Sequence, residues 1–398
     1  MLPLLTTAAF AFPITRPDAC SPAILRTGQR EIHLISTSPA GEPFSYIGHA
    51  ALWVRDPAQR LDHIFEFGAI NSARQEPLSA LLLGNLKCWW LRGSIDKRIG
   101  WYRKTGRRVI AQPFVLPDDL QDQLFERIYS INGTMSQSYI FDWRTRNCAT
   151  EIRDILDDIL DGQLSTALSD PAPLTPRAEV LRYLSAHPWA WLGWHQQAGP
   201  DVDVPITRWQ AAFIPERLTE SLMDTPITLA DGTTAPILGT PCLLNKGTHD
   251  WAGPKPPDWN TRLGGIGLLL AGILGGAGRA DRKALRRVAG GVLMGVGLLG
   301  GLLGTASIVL WLVSALTVYG PNENWWITNP ATFLLIPAGR AVIKGEWAGW
   351  LRQGVVVLLA LASVGVILDL TGLTSQDNAG FFALMWPILA ATVWLSRR

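Results

Sequence analysis

Apolar and polar positions along this chain change their rhythm three times. Through the first 115 residues, short apolar stretches bounded by turn residues read as strands: Glu31–Ser38, Ile47–Val54, His63–Ile70 and Arg107–Val115. Ser38-Pro39-Ala40-Gly41-Glu42-Pro43 is a turn cluster, and the polar run Asp56–Asp62 is the loop of a hairpin between the second and third strands. Leu78–Leu91 is apolar and helical in length, with Cys88-Trp89-Trp90 at its end. After Leu116-Pro117-Asp118-Asp119 the period becomes helical, with Leu120, Leu124, Ile128 and Ile131 on one side. A second amphipathic helix follows Asn147, with Ile152, Ile155, Leu156, Ile159 and Leu160 on one stripe and Gly162 at its end. Ser165–Pro176 reads as a linker-like bend, Arg177–Leu184 as a short helix, His187–Trp194 as an aromatic-rich stretch, and Gly199 to Pro215 as irregular.

Beyond the stiff hinge Gly253-Pro254-Lys255-Pro256-Pro257 the pattern loses its polar half. Five apolar segments follow: Leu263–Gly278, Val288–Tyr319, Trp325–Gly339, Gln353–Thr371 and Ala379–Leu395. Spanning a bilayer takes about 20 residues, so the first and third are short and the second has length to spare. Basic residues gather in Arg279–Arg287, in Arg340, Lys344 and Arg352, and at Arg397-Arg398, whereas Gly320–Asn324 and Gly372–Asn378 hold no Lys or Arg. With five crossings the basic loops share one side, cytoplasmic by the positive-inside rule, and residues 1–260 lie outside. The expected organisation is a possible signal or disordered segment (1–28), an extracytoplasmic domain (29–255) and a transmembrane domain of about five helices (256–398) with a cytoplasmic C-terminus.

Composition adds less. A net charge of +2 over 398 residues, with no basic stripe, argues against a nucleic-acid partner. Many of the eighteen tryptophans lie beside apolar segments, where indole favours the headgroup layer, although Trp53 and Trp143 read as core residues. The four cysteines, Cys20, Cys88, Cys148 and Cys242, show no CxxC spacing, so no structural zinc site and no metal or other cofactor is expected. In an exported domain two of the three other than Cys148 can pair, in a combination that spacing does not reveal.

The chemistry sits in two places. Asn147 is a preferred N-cap, so Cys148 falls on the first helical turn, where unpaired N–H groups and the helix dipole favour an anion. That lowers a thiol's pKa and offers oxyanion donors. About a hundred residues earlier, His49 follows Gly48 at the head of a strand. If Val54 lies opposite His63 in the hairpin, Ala51 faces Glu66, and Glu66 lies diagonal to His49 on the same face. A carboxylate there fixes an imidazole tautomer. Glu66 stands between Phe65 and Phe67, an unusual place for an idle charge. A buried structural cysteine and a solvated edge glutamate are the plainer alternatives. His33, His63, His187, His195 and His249 lack such a setting and read as surface or loop residues.

Pro43-Phe44-Ser45-Tyr46-Ile47-Gly48-His49-Ala50-Ala51-Leu52, Phe65-Glu66-Phe67-Gly68, and Tyr139-Ile140-Phe141-Asp142 leading to Asn147-Cys148-Ala149-Thr150 resemble the N-terminal periplasmic domain of the Lnb-type lipoprotein N-acyltransferases. The likeness continues through Gly199-Pro200-Asp201-Val202-Asp203-Val204-Pro205 and Phe213-Ile214-Pro215. The resemblance implies an α+β fold, a permuted papain-like (NlpC/P60-like) cysteine domain, followed by a helical transmembrane domain in the bacterial inner membrane. It implies Cys148 as nucleophile and His49 as its base, with Glu66 added by the hairpin geometry. Asn147, Ala149, Ser45 and Tyr46 are the candidate oxyanion or positioning residues. The implied reaction is ping-pong acyl transfer from a phospholipid, through a thioester, to the α-amine of a lipoprotein. A membrane-tethered cysteine hydrolase, phospholipase or peptidase, is the competing activity, and a non-enzymatic receptor or scaffold a third reading. For lipid entry, Leu81, Leu82, Trp89 and Trp90 are expected to line a membrane-facing groove.

Overall fold

In the computed structural model, described for residues 29–131, 138–249 and 252–397, the strand-like stretches pair into one sheet. In chain order the elements are β1 (Glu31–Thr37), β2 (His49–Asp56), β3 (Leu61–Ile70), α1 (Pro77–Leu83), β4 (Lys87–Ser94), α2 (Ile95–Lys104), β5 (Val109–Pro113), α3 (Asp118–Ser130), β6 (Ser138–Ile140) and α4 (Cys148–Ile159). Then come α5 (Gln163–Ala167), α6 (Pro176–Leu184), α7 (Pro188–Gln197), α8 (Arg208–Ala211), α9 (Pro215–Asp224), the small hairpin β7 (Pro226–Thr228) and β8 (Thr234–Pro236), and β9 (Cys242–Asn245). The seven-stranded sheet runs β6-β4-β3-β2-β1-β5-β9, every neighbour antiparallel.

Alternation along the strands splits the core in two. Ile32, Leu34, Ala50, Leu52, Phe65 and Phe67 face one way and pack with Leu124 and Ile128 of α3, Ile152, Leu156 and Ile159 of α4, and Leu218 of α9. Ile35, Ala51, Trp53 and Ile64 face the other way, onto Ile95, Ile99 and Tyr102 of α2. Truncating a core side chain such as Leu156 to Ala costs about 2–5 kcal/mol. The bend expected over Ser165–Pro176 is partly helical, because Leu164 and Leu168 drop into the first core.

Two expectations fail here. Leu78–Leu91 is not one helix. Glu76 caps the start of α1, Gly84 in the left-handed region (φ 73°) ends it, and the chain re-enters the sheet as β4. A short apolar run fits a buried strand as well as a helix, and the glycine decides. The second failure concerns histidines: His33 is buried under Trp53, ring centroids 4.7 Å apart, and His195 is buried as well. Cys242 is disulfide-bonded and Cys88 and Cys148 are free thiols, while Cys20 and the 1–28 segment lie outside the described residues.

The chain divides into two compact units. The first runs to Ala186 and resumes over Pro205–Pro256; the second comprises His187–Val204 and Pro257–Arg398. The second holds α7 and the helices α10 (Asn260–Gly278), α11 (Lys283–Val313), α12 (Leu335–Lys344), α13 (Gly349–Leu370) and α14 (Ala379–Ser396). Four of these, α10, α11, α13 and α14, are long and apolar enough to cross a membrane. The expected fifth span, Trp325–Gly339, is instead a pair of 3₁₀ turns leading into the ten-residue α12. Pro330 and the Asn329 cap interrupt it, and it lies in a glycine groove of α11. A Cβ on Gly304 would meet Asn329 Cα at 2.4 Å, and one on Gly290 would meet Gly339 O at 2.5 Å, so the broken segment runs antiparallel along α11. Within this unit the basic segments share one end: Arg279 donates to Trp394 O at 2.8 Å, and one cavity is lined by Arg279, Arg286, Gly345, Trp347 and Leu395. At the opposite end Glu323 accepts from the N–H groups of Ser375 and Gln376, both at 3.1 Å, joining the two loops that carry no basic residue.

Candidate active site

The loop before the cysteine helix is built to present its first turn. Asp142 Oδ1 accepts from the N–H groups of Arg144 (2.9 Å) and Thr145 (2.7 Å), and Asp142 and Arg146 bond each other's backbone, so the chain folds back tightly. Asn147 then caps α4. Its Oδ1 accepts from Ala149 N–H (2.8 Å) and Thr150 N–H (3.1 Å), and Thr150 Oγ1 accepts from Asn147 N–H (2.8 Å), closing a reciprocal capping box. Asn147 Nδ2 donates to the carbonyls of Trp143 (2.7 Å) and Phe213 (3.0 Å), which ties the Phe213-Ile214-Pro215 motif to the helix start. Pro215 opens α9. That helix is pinned to α6 by a buried ion network in which Glu179 holds Arg182 and Arg217, each at 2.7 Å, and Arg182 and Tyr183 both bond Glu216.

His49 opens β2, and the Ala51–Glu66 and Val54–His63 pairs are in the register that the hairpin loop suggests. Glu66 Oε1 lies 3.4 Å from His49 Nε2. Gly48 (φ 85°) and Gly68 (φ 99°) both hold the left-handed conformation, and β3 shifts register at Gly68. The β2–β3 ladder starts only at Ala51, and the Ala50 N–H just before it faces the Cys148 thiol closely enough to favour its thiolate. Cys148 and His49 lie close enough for each to shift the other's ionisation. The thiol comes from a helix on one face of the sheet; the imidazole and carboxylate belong to the other face and meet it at the strand end.

Three residues behind Glu66 were not visible in the sequence pattern. Tyr102, fully buried on α2, donates its hydroxyl to Glu66 Oε1 at 2.6 Å, and Arg98, one turn earlier, ion-pairs with Glu66 Oε2. Arg107, also buried, donates Nε to Ser38 O at 3.0 Å and lies 5.5 Å from the Tyr102 ring centroid. A helical i, i+4 step from Arg98 to Tyr102 is the one signal that could have shown two of them on one face.

Electrostatics separates the two free thiols. Burial pushes Cys88 up to about 12, leaving an inert thiol. Burial also opposes ionisation of Cys148, but the His49 charge and hydrogen bond, the Ala50 N–H and the Arg107 charge outweigh it and hold the thiol below its ordinary value. Burial alone would lower His49; Cys148 and then Glu66 outweigh it and raise the imidazole to about 9. Glu66 stays below the usual carboxylate range against its own burial, through His49, Arg98 and Tyr102. The pair therefore favours thiolate and imidazolium together, the state a nucleophile with an adjacent proton donor requires.

The other expected residues divide. The Ala149 N–H is committed to the Asn147 cap, so it is not available as an oxyanion donor; the Cys148 N–H, at the first helical position, has no intrahelical acceptor. Ser45 is buried in the 3₁₀ turn before β2 with its backbone bonded to Glu42, Ala40 and Gly48, and half-buried Tyr46 ends that turn. Trp89 is buried and Trp90 packs edge-on against Phe67 at 4.5 Å, both on a strand, so neither projects outward as an interfacial anchor would. Leu81 packs beside Cys88 and Tyr139, and Leu82 is half-buried. Among the described residues no three His, Cys, Asp or Glu side chains are grouped to hold a metal ion.

Comparison with known proteins yields one family. No curated protein and no solved structure matches the chain. Residues 25–185 match the family model described as the Lnb N-terminal periplasmic domain, an interval that takes in β1 through α6 with His49, Glu66 and Cys148. Over residues 25–185 the chain is thus similar to the Lnb N-terminal periplasmic domain family.

Proposed function

We propose that the protein is a membrane-bound thiol acyltransferase that moves a fatty acyl chain from a phospholipid to the N-terminal amine of a bacterial lipoprotein. The observation that carries this reading is the electrostatic pairing of Cys148, at the start of α4, with His49, whose Nε2 lies 3.4 Å from Glu66 Oε1. The Cys148 thiolate attacks the donor ester carbonyl, and the imidazolium of His49 protonates the departing lysophospholipid alkoxide. The product is a Cys148 thioester and a neutral imidazole. The acceptor amine then attacks the thioester, its proton passes to His49, and release of the thiolate restores the starting ion pair. Glu66, itself held by Arg98 and Tyr102, keeps the imidazole oriented and favours its charged form. The chain order, histidine strand before cysteine helix, supports a permuted papain-like domain.

Four long apolar helices and the broken segment that runs back along α11, with the basic loops at one end, support a multi-pass protein of the inner membrane, that end and the C-terminus cytoplasmic and the catalytic domain periplasmic. The disulfide at Cys242 suits an oxidising compartment. The test is the fate of a labelled acyl chain, using purified full-length protein, a phospholipid and a synthetic diacylglyceryl-cysteine peptide. N-acylated peptide is the expected product, lost in Cys148→Ala. Free fatty acid alone, at equal rates with and without peptide, would instead make the protein a hydrolase.

A further inference from the structure

α7 lies in the segment His187–Val204, which interrupts the first unit's stretch of chain and belongs to the helical unit. Its sequence, Pro188-Trp189-Ala190-Trp191-Leu192-Gly193-Trp194-His195-Gln196-Gln197, contains no Asp, Glu, Lys or Arg. One side is seated on the unit: the Trp191 ring packs tilted against Trp259, centroids 5.2 Å apart, and His195 likewise against Phe381 at 4.9 Å, at the starts of α10 and α14. Its C-terminal carbonyls, which a helix leaves unsatisfied, receive side chains from the loops at the end lacking basic residues. Asn322 Nδ2 donates to the carbonyls of Gln196 (2.9 Å) and Gln197 (3.0 Å), and Asn324 Nδ2 to that of Gln196 (3.1 Å). Gln197 donates in turn to Leu303 O of α11 at 3.2 Å. α7 thus reaches from the α10 and α14 starts to α11, across the helices.

The depth of that attachment can be counted. A hydrocarbon core of ~30 Å takes about 20 residues of helix. From Val288, just past Arg286 and Arg287, about 20 residues along α11 end near Ser307. Trp325 donates its indole N–H to Ser307 Oγ at 2.9 Å and packs at a tilt against Trp311, centroids 5.2 Å apart, an aromatic pair where a membrane interface would fall. Leu303, to which α7 is tied, is one turn deeper. On the other side of α7, Trp189 is 83% exposed, with Ala190, Leu192 and Trp194 half-buried around it.

We propose that α7 is an interfacial helix, seated at the periplasmic boundary of the hydrocarbon core with Trp189 among the phospholipid headgroups. It takes over the membrane-contacting role that the sequence assigned to Leu78–Leu91. Lacking charged side chains, it would bind the layer through indole and apolar contact, independently of headgroup charge. The proposal rests on the membrane-spanning reading of α10, α11, α13 and α14.

The test places an environment-sensitive fluorescent amino acid at position 189 of the full-length protein, reconstituted in phosphatidylcholine vesicles. A second protein carries it at Leu302, which is 53% exposed midway along α11. At 189 the expected result is at least two-fold stronger quenching by lipids brominated near the headgroup than by lipids brominated near the chain end, unchanged when anionic lipid is added. Full quenching by aqueous iodide with none by brominated lipid would overturn the proposal, provided position 302 is quenched by lipid bromine. If position 302 also escapes lipid bromine, the membrane-spanning reading falls, and this proposal with it.

Discussion

Replacing Glu66 with glutamine tests the electrostatic design of the site. The amide matches the carboxylate in size and still accepts from Tyr102, but it removes the charge that lies 3.4 Å from His49 Nε2. Coulomb attraction at that separation is roughly 5 kcal/mol at an effective dielectric of 20, and roughly 1 kcal/mol in water. His49 is only 19% exposed, which points to an intermediate loss of about 2 kcal/mol, in line with the worth of a hydrogen bond to a charged group. That corresponds to a fall of about 1.5 in the imidazole pKa. In the parent protein the thiolate–imidazolium pair exists above the lowered pKa of Cys148 and below about 9, where His49 loses its proton. The alkaline limb of single-turnover acylation by phospholipid should therefore move from about 9 toward 7.5 in Glu66→Gln, so that the rate falls roughly four-fold at pH 8 and roughly 30-fold well above pH 9. The assay is rapid-quench appearance of lysophospholipid between pH 5 and 10. An unmoved alkaline limb, with the variant folded, would refute the role given to Glu66.

Three further outcomes follow from the packing. Asn147→Ala removes a cap worth about 1–2 kcal/mol and strips donors from two carbonyls, so thermal stability should drop. Asn147→Asp should keep the cap but set a negative charge beside the thiolate, moving the acid limb of iodoacetamide alkylation to higher pH; an unchanged limb would contradict this. Gly304→Val should lower the melting temperature of the detergent-solubilised protein sharply, because its Cβ would lie 2.4 Å from Asn329 Cα, while Gly291→Ala, which meets open space, should be neutral. A cysteine at position 283 (Lys283→Cys) should react with an impermeant maleimide only after cells are permeabilised, and labelling above the parental background in intact cells would reverse the membrane orientation.

The hairpin register was legible because the loop Asp56–Asp62 and the period of two leave little freedom: once Val54 faces His63, Ala51 faces Glu66, as the structure has it. The Asn147 cap was legible for a similar reason, since it is a local contact within four residues. Arg98 and Tyr102 were not, because their approach to Glu66 depends on α2 folding back over the sheet, a tertiary contact with no sequence period, and neither was Arg107, whose bond to Ser38 O spans 69 positions. Leu78–Leu91 misled because a strand buried on both faces and a buried helix share the same apolar composition, and Gly84 was weighed too lightly. Trp325–Gly339 misled differently: its hydropathy was that of a span, but Asn329-Pro330 and the glycine groove of α11 favour a broken segment over a full-length helix. α7 gave no amphipathic signal because it is seated on indoles and amides, so both its faces read alike in sequence.

The central claim is that Cys148 carries the acyl chain. Intact-mass measurement of the full-length protein after incubation with a single defined phospholipid, without acceptor, addresses it directly. The predicted result is one added acyl mass that maps to Cys148, is released by neutral hydroxylamine, and is absent in Cys148→Ala and slowed at least 100-fold in His49→Asn. An acyl adduct of unchanged yield in Cys148→Ala would contradict the account, as would full transfer activity in that variant.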